Sequence, residues 1–157
     1  MIHFMFMFNK QGKMRLQKWY EAYEAKMKKK VVNDLVMTIL GRKRNMCAFF
    51  EYKEFRIVYK RYASLFIVFA VDMDDNELFT LDVLHRFVEI LDDHFGSVCE
   101  LDIIYNYEQV YYLLDEYILA GEVQESDMSK VVRAVVRQNE IQELETNERM
   151  FGAFNLG

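Results

Sequence analysis

The chain has 157 residues, of which 52% are hydrophobic, 15% aromatic and 29% charged, enough apolar material for one domain core and far from a disordered composition. There is no proline and there are only six glycines, which excludes Pro-rich and Gly/Ser-rich linkers. The net charge of −5 conceals a division: residues 1–61 hold 15 Lys and Arg against 5 Asp and Glu, whereas residues 62–157 hold 5 against 20.

Such a split fits either a charged partner or two solvated faces that meet within one fold. It disfavours double-stranded nucleic acid, whose binders need a concentrated basic surface. The uncharged apolar run from Ala63 to Val71 is far shorter than the ~20 residues that span a bilayer. Residues 1–8 lack a basic lead, a small-residue cleavage site and a glycine at position 2, so they read as neither signal peptide nor myristoylation site. The expectation is a soluble, intracellular, single-domain chain. Cys47 and Cys99 do not make a disulfide scaffold, and beside apolar neighbours each is expected to behave as a small hydrophobe.

In chain order, residues 2–8 are apolar on both faces except for His3, as in a central strand. Asn9-Lys10-Gln11-Gly12 is a turn. Alternation from Lys13 to Tyr20 then predicts the second arm of a hairpin, with Met14 and Leu16 on one face and Arg15 and Gln17 on the other. Glu21 to Leu40 reads as a helix, with Val31, Val32, Leu35, Val36, Ile39 and Leu40 at helical spacing and Gly41 as its stop. Three strands follow, Met46–Tyr52, Phe55–Tyr62 and Ala63–Val71, the first pair turned by Lys53-Glu54.

Asp72, Asp74, Asp75 and Asn76 open a second helix that carries Leu78, Leu81, Leu84, Val88 and Leu91 and stops near Gly96. A third, about Ile103 to Ala120, carries Tyr107, Tyr111, Leu114 and Ile118 and stops at Gly121. Ser126 or Ser129 caps a fourth, with Val131, Val132, Val135 and Val136 inward. The string is ββαβββααα, an α+β fold with an antiparallel sheet sandwiched between helices.

Motifs for chemistry are absent. Counted from Asp72, the acidic run has Glu77 and Val83 where a calcium loop needs Gly and Glu, so helix capping explains it better. His3, His85 and His94 have no ligand-like spacing. Walker, dinucleotide and nucleophile-elbow patterns do not occur, and the pairs Asp92-Asp93 and Asp115-Glu116 read as wet helix faces.

Three segments carry a resemblance: Gly12-Lys13-Met14-Arg15-Leu16-Gln17-Lys18-Trp19-Tyr20, then Tyr59-Lys60-Arg61-Tyr62-Ala63-Ser64-Leu65, then residues 95–107 from Phe95 to Tyr107. From Met1 to about Gln142 the chain resembles the small, or sigma, subunits of the heterotetrameric clathrin adaptor complexes. Within the family it looks most like the complex 1 form, with complex 2 the nearest competitor. The resemblance implies a longin-like domain over residues 1–142, with 143–157 a C-terminal tail expected to be disordered.

It also implies a non-enzymatic role without cofactor or metal. The implied partners are a large adaptin of gamma type, beta and mu subunits, clathrin and an Arf-family GTPase through the complex, and cargo tails with acidic dileucine signals. The implied location is the cytoplasmic face of the Golgi and trans-Golgi network and of clathrin-coated vesicles, with indirect membrane association. By family analogy Ala63, Leu65, Val88, Val98 and Ile103 line a pocket for the two leucines, with Ser97 and Leu101 close by, and Arg15 meets the acid. A carboxylate at position 88 is then expected to abolish signal binding without disturbing assembly. Taken without the family, Val88 and Leu65 read as core and Arg15 as a solvated strand residue. The alternative function is a longin-domain interaction or regulatory scaffold in a complex 2 adaptor, a coatomer-type subunit or a small-GTPase regulator.

Overall fold

Phenylalanine and methionine alternate along the first strand, Ile2–Asn9 (β1), and the pleat sends them to opposite sides. In the computed structural model, which describes residues 1–42, 48–119, 122–123, 140–141, 143–145 and 149, Phe4, Phe6 and Phe8 enter one buried cluster and Met5 and Met7 another. β1 is thus covered on both faces. The same holds for Leu65–Asp72 (β5), whose Leu65, Ile67, Phe69 and Val71 face one cluster and Val68 and Ala70 the other.

With Met14–Trp19 (β2), Phe49–Tyr52 (β3) and Phe55–Tyr62 (β4), these strands form an antiparallel sheet in the order β2-β1-β5-β4-β3. Helix Ala25–Gly41 (α1) covers the phenylalanine face through Val31, Leu35, Val36 and Ile39. Glu77–Phe95 (α2), Glu100–Tyr105 (α3) and Tyr107–Tyr117 (α4) cover the methionine face. A short pair, Ile118–Leu119 (β6) with Glu122–Val123 (β7), follows. The expected α+β sandwich and its ββαβββ order are therefore present. Among the described residues no helix is long and apolar enough to cross a membrane.

Two breaks of register shape this sheet. Between β1 and β5 the pairing passes from Ile2↔Val71 to Phe4↔Ala70, leaving His3 as an extra residue. Between β1 and β2 it passes from Met7↔Leu16 to Phe8↔Met14, leaving Arg15 as the extra one. A bulge of this kind turns the residues on either side of it to opposite faces. Leu16 accordingly joins the methionine-side core while Met14 packs on the phenylalanine side, against the expectation that they share a face.

Other expectations shift for identifiable reasons. The first helix starts at Ala25 rather than Glu21, because the segment before it is held otherwise: Tyr20 N extends the sheet by donating to His3 O at 2.9 Å, and Tyr23 Oη donates locally to Glu21 Oε2 at 2.6 Å. The third strand is Phe49–Tyr52, the first part of its expected range lying in residues 43–47, outside the described ones. Ala63 and Ser64 form the β4–β5 turn rather than the start of a strand, Ala63 with φ of 52°.

Asn76 caps α2 as expected, its Oδ1 accepting from Leu78 N at 2.8 Å and Phe79 N at 3.1 Å. Leu78 nevertheless points to solvent and Leu81 is only partly buried; Thr80, Val83, Leu84, Phe87, Val88, Ile90 and Leu91 form the inner stripe. The single helix expected over 103–120 is two, broken at Asn106, and Ile118 already lies in a strand. Cys99 is exposed rather than a core hydrophobe. Gly121, most of the expected fourth helix and most of the tail lie outside the described residues, although 140–141, 143–145 and 149 are described and helical.

At the first bulge His3 stands between two carboxylates, hydrogen-bonded through Nε2 to Asp72 and 3.0 Å through Nδ1 from Glu21. The second contact is off the hydrogen-bonding direction, since Nδ1 lacks a hydrogen-bond partner, so Glu21 acts there as a charge. Burial disfavours the imidazolium, but the hydrogen bond to Asp72 and the two negative charges outweigh it and hold the His3 pKa above its ordinary 6.5. Hydrogen bonding to His3 holds Asp72 below 3.8, and a hydrogen bond from Tyr23, with the neighbouring His3 charge, holds Glu21 below 4.5.

A raised imidazole contributes stability that is complete below pH 6.5 and lost as pH rises through the folded pKa. The depressed carboxylates contribute above their ordinary values and lose it as pH falls through their folded pKa values. The melting temperature should therefore fall as pH rises above 6.5, and thermal unfolding of His3→Gln should show that fall reduced.

Candidate functional site

The second bulge frees Arg15 from the ladder. Its Nε donates to Glu100 Oε1 at 2.7 Å, with Arg15 and Glu100 side chains 25% and 22% exposed. The same Glu100 oxygen accepts from Asn9 Nδ2 at 2.9 Å, and Ser64 Oγ lies 3.5 Å from Oε2. Hydrogen bonds from Arg15 and then Asn9 hold the Glu100 carboxyl below the usual carboxylate range.

The partners are rigidly placed. Asn9 is buried, and its Oδ1 accepts from Gln11 N at 3.0 Å and Lys13 N at 2.9 Å, which fixes the β1–β2 turn. Gly12 completes that turn with φ of +83°, where a Cβ would meet Val36 Cγ1 at 3.3 Å. Ser64 sits at the tip of the β4–β5 hairpin, between Ala63 and Leu65.

Glu100 opens α3, and the approach to that helix is unusual. Gly96 ends α2 in the left-handed region at φ 65°, and Ser97 follows at φ 76°. A non-glycine residue there costs about 1–2 kcal/mol and is kept only where its surroundings hold it. Asp92 supplies that hold. Its backbone carbonyl accepts from Gly96 N at 2.8 Å and Ser97 N at 3.2 Å. Its carboxylate accepts from Val98 N at 2.9 Å, and from Tyr62 Oη at 2.7 and 2.9 Å.

The eight residues expected to form a site are thus distributed in two ways. Leu65, Val88, Val98 and Ile103 belong to one buried cluster, each 5% exposed or less. Ala63, Ser97 and Leu101 are exposed, Leu101 at 59%. Arg15 is joined to them through Glu100, which lies beside Leu101 on α3, and through Ser64, which follows Ala63. The four apolar side chains therefore lie in one core cluster and are covered in this structure rather than open.

Sequence alone assigns Glu100 no role, makes Asn9 only a turn residue and reads Asp92 as part of a wet helix face, whereas its carboxylate is taken up by Val98 N and Tyr62 Oη. Asn9 had a signal, as the first residue of an Asn-x-x-Gly turn, and so had Asp92, one helical turn before the glycine stop. The Arg15–Glu100 pairing joins residues 85 apart and left no local trace.

A second concavity, of about 720 Å³, lies elsewhere on the surface, between the end of α1, the β4–β5 hairpin and the start of α2. Leu40, Phe66, Leu78 and Leu81 are among its apolar lining residues, with Lys60 and Arg61 at its polar edge.

The small chain of the clathrin adaptor complex, as a family, matches residues 1–142. This chain belongs to that family. The AP-1 complex subunit sigma-1A of Homo sapiens is 48% identical over 149 residues, 95% of this chain and 94% of that protein. The AP-1 complex subunit sigma-2 of Arabidopsis thaliana is 47% identical over 148 residues, 94% of this chain and 91% of that protein. A chain described within a homology model of the full-length AP-3 complex in a stretched open conformation superposes with a TM-score of 0.72. It is 30% identical and covers 94% of this chain and 99% of its own length. The adaptor small-chain resemblance and the longin-like sandwich agree with these likenesses.

Removal of the Asp92 carboxylate tests how the turn before α3 is held. Asp92→Ala loses charge-assisted hydrogen bonds from Val98 N and Tyr62 Oη and should cost about 1–3 kcal/mol, measured by urea unfolding, with Tyr62→Phe losing less.

Proposed function

We propose that the chain is the small subunit of a complex 1 type clathrin adaptor, acting at the trans-Golgi network and endosomes. It sits against a large adaptin of gamma type, with beta and mu subunits completing a heterotetramer. Clathrin, an Arf-family GTPase and the membrane are engaged through that assembly. With the large subunit it contributes to binding of cargo tails that carry an acidic residue four positions before a leucine pair. The role is non-enzymatic.

The observation that carries this reading is the pairing of Arg15, the extra residue at a bulge, with Glu100, which opens the short helix that carries the exposed Leu101 and the buried Ile103, the latter in one cluster with Leu65, Val88 and Val98. The chemistry matches the signal. A guanidinium suits a carboxylate, and burying each leucine contributes about 1.5–3 kcal/mol. A part-exposed ion pair adds only about 0–1 kcal/mol, so the apolar pair supplies most of the affinity and the acid tunes it. Ordering a flexible tail offsets part of the gain, leaving a weak contact that many copies in a coat can strengthen.

Assembly is supported by the apolar surface the chain leaves uncovered, with Leu78 and Phe79 side by side at 68% and 63% exposure and Met37 at 73%. Expressed alone, the chain should self-associate, as read by light scattering, and co-expression with a gamma-type large subunit should restore a discrete species. A stable monomer and no co-purifying large subunit from cytosol would contradict the assignment.

The burial of Val88 changes the binding test. A carboxylate at position 88 would be buried in the core and uncompensated, so Val88→Asp confounds folding with recognition, contrary to the expectation that assembly survives it. Leu101→Ser and Arg15→Ser alter exposed or half-buried positions instead. In the assembled complex, Leu101→Ser should weaken an acidic dileucine peptide about 3- to 10-fold and Arg15→Ser about 2- to 5-fold, with a flatter salt dependence for the latter. Unchanged titration curves for both variants would remove this corner from the site.

A further inference from the structure

We infer that Glu100 is a latch: it occupies Arg15 with the chain's own carboxylate, ties α3 down, and so keeps the leucine notch shut until an acid from outside takes its place. The inference rests on the dileucine reading above for the identity of the ligand, but not for the existence of the latch.

Three observations meet here. The first is the resident carboxylate. Glu100 accepts from Arg15 Nε at 2.7 Å and from Asn9 Nδ2 at 2.9 Å, with Ser64 Oγ 3.5 Å away. A guanidinium, an amide and a hydroxyl are the donors that would recognise a ligand acid, and they come from β2, the β1–β2 turn and the β4–β5 turn. Among the described residues, Glu100 is the α3 side chain hydrogen-bonded to the sheet and its turns.

The second is the closed notch. Val98, two residues before α3, and Ile103 within it are 5% and 0% exposed, and Leu65 and Val88 of the same cluster are 1% and 3%. Two ligand leucines find no free wall here. They can enter only where Val98 or Ile103 withdraws, replacing one set of apolar contacts with another.

The third is the pair of joints. α3 is six residues long. It is preceded by Gly96 and Ser97, both left-handed, and followed by Asn106 at φ −122°, ψ 35°, which separates it from α4. A short helix between two non-helical joints can shift as a unit while α2 and α4 remain in place.

The coupling follows. A ligand can shift an equilibrium between shut and open α3 only by its differential affinity for the two. The acid of the signal supplies one part, by competing with Glu100 for Arg15. The leucines supply the other, since their walls exist only in the open arrangement. If the open form is a minor fraction, the apparent affinity is reduced by that fraction, and releasing the latch restores it.

The test uses Glu100→Gln and Glu100→Ala in the assembled complex. The probes are two peptides, one with Glu four residues before Leu-Leu and one with Gln there. The wild type should prefer the acidic peptide. Both variants should bind the Gln peptide up to about tenfold more tightly than the wild type does, so that the preference shrinks. Gln-peptide affinity that is unchanged or lowered in both variants would overturn the latch.

A ligand-free readout stands beside it: amide hydrogen exchange over residues 97–105 of the full chain. Exchange there should rise severalfold in Glu100→Ala while β1 and β5 keep their protection. Equal protection in variant and wild type would overturn the latch whatever binds. Faster exchange with neither peptide bound by the wild type would instead support the latch and discard the dileucine reading.

Discussion

The structure depends on two adjacent strands, β1 and β5, that are buried on both faces. A one-residue slip exchanges the two faces of a strand, and here it would move the methionines of β1 into the cluster that now holds its phenylalanines, and the phenylalanines into the other. Phenylalanine on one side of β1 and methionine on the other define two cores of different character, the first aromatic and closed by α1, the second closed by α2, α3 and α4. The hairpin partners β2 and β4 inherit their register from this pair.

Within so constrained a sheet, the two bulges in β1 pairing take on meaning. Each places a polar residue, His3 or Arg15, at a point where the ladder has one residue too many, and each of those residues pairs with a carboxylate contributed from far along the chain. The charge division falls into place here too. The basic half comprises β1, β2, α1 and most of β3 and β4, while the acidic half supplies the helices of the other face. Arg15–Glu100, Arg56–Glu77 and Lys18–Asp115 bridge the halves, which fits the reading of two charged faces that meet within one fold.

What was legible in the sequence was whatever depends on local pattern. β1, β4 and β5 stand within a residue or two of where periodicity places them, and α2 runs between Asn76 and Gly96 because capping and left-handed termination are written in single residues. The failures have a common physical origin in contacts between distant segments. Periodicity alone could not show that Tyr20 extends the ladder by bonding to His3, delaying α1, nor that Leu78 would stay in water while Thr80 goes in. The candidate site was half legible. Its residues came from resemblance, but neither the burial of Leu65, Val88, Val98 and Ile103 in one cluster nor the convergence of Asn9, Arg15 and Ser64 on Glu100 could be read from local pattern.

The bulge at Arg15 has one more consequence. Because residue 15 is surplus to the strand pairing, its side chain is decoupled from the framework that carries it. A replacement there alters what the corner attracts and leaves the hydrogen-bonded ladder of β1 and β2 with the same partners as before. Deleting the residue would do the reverse, merging two offset registers into one and rotating Met14 across the sheet. The side chain at residue 15 is thereby separated from the pairing that sets the fold, and a lineage could vary the first without reopening the second.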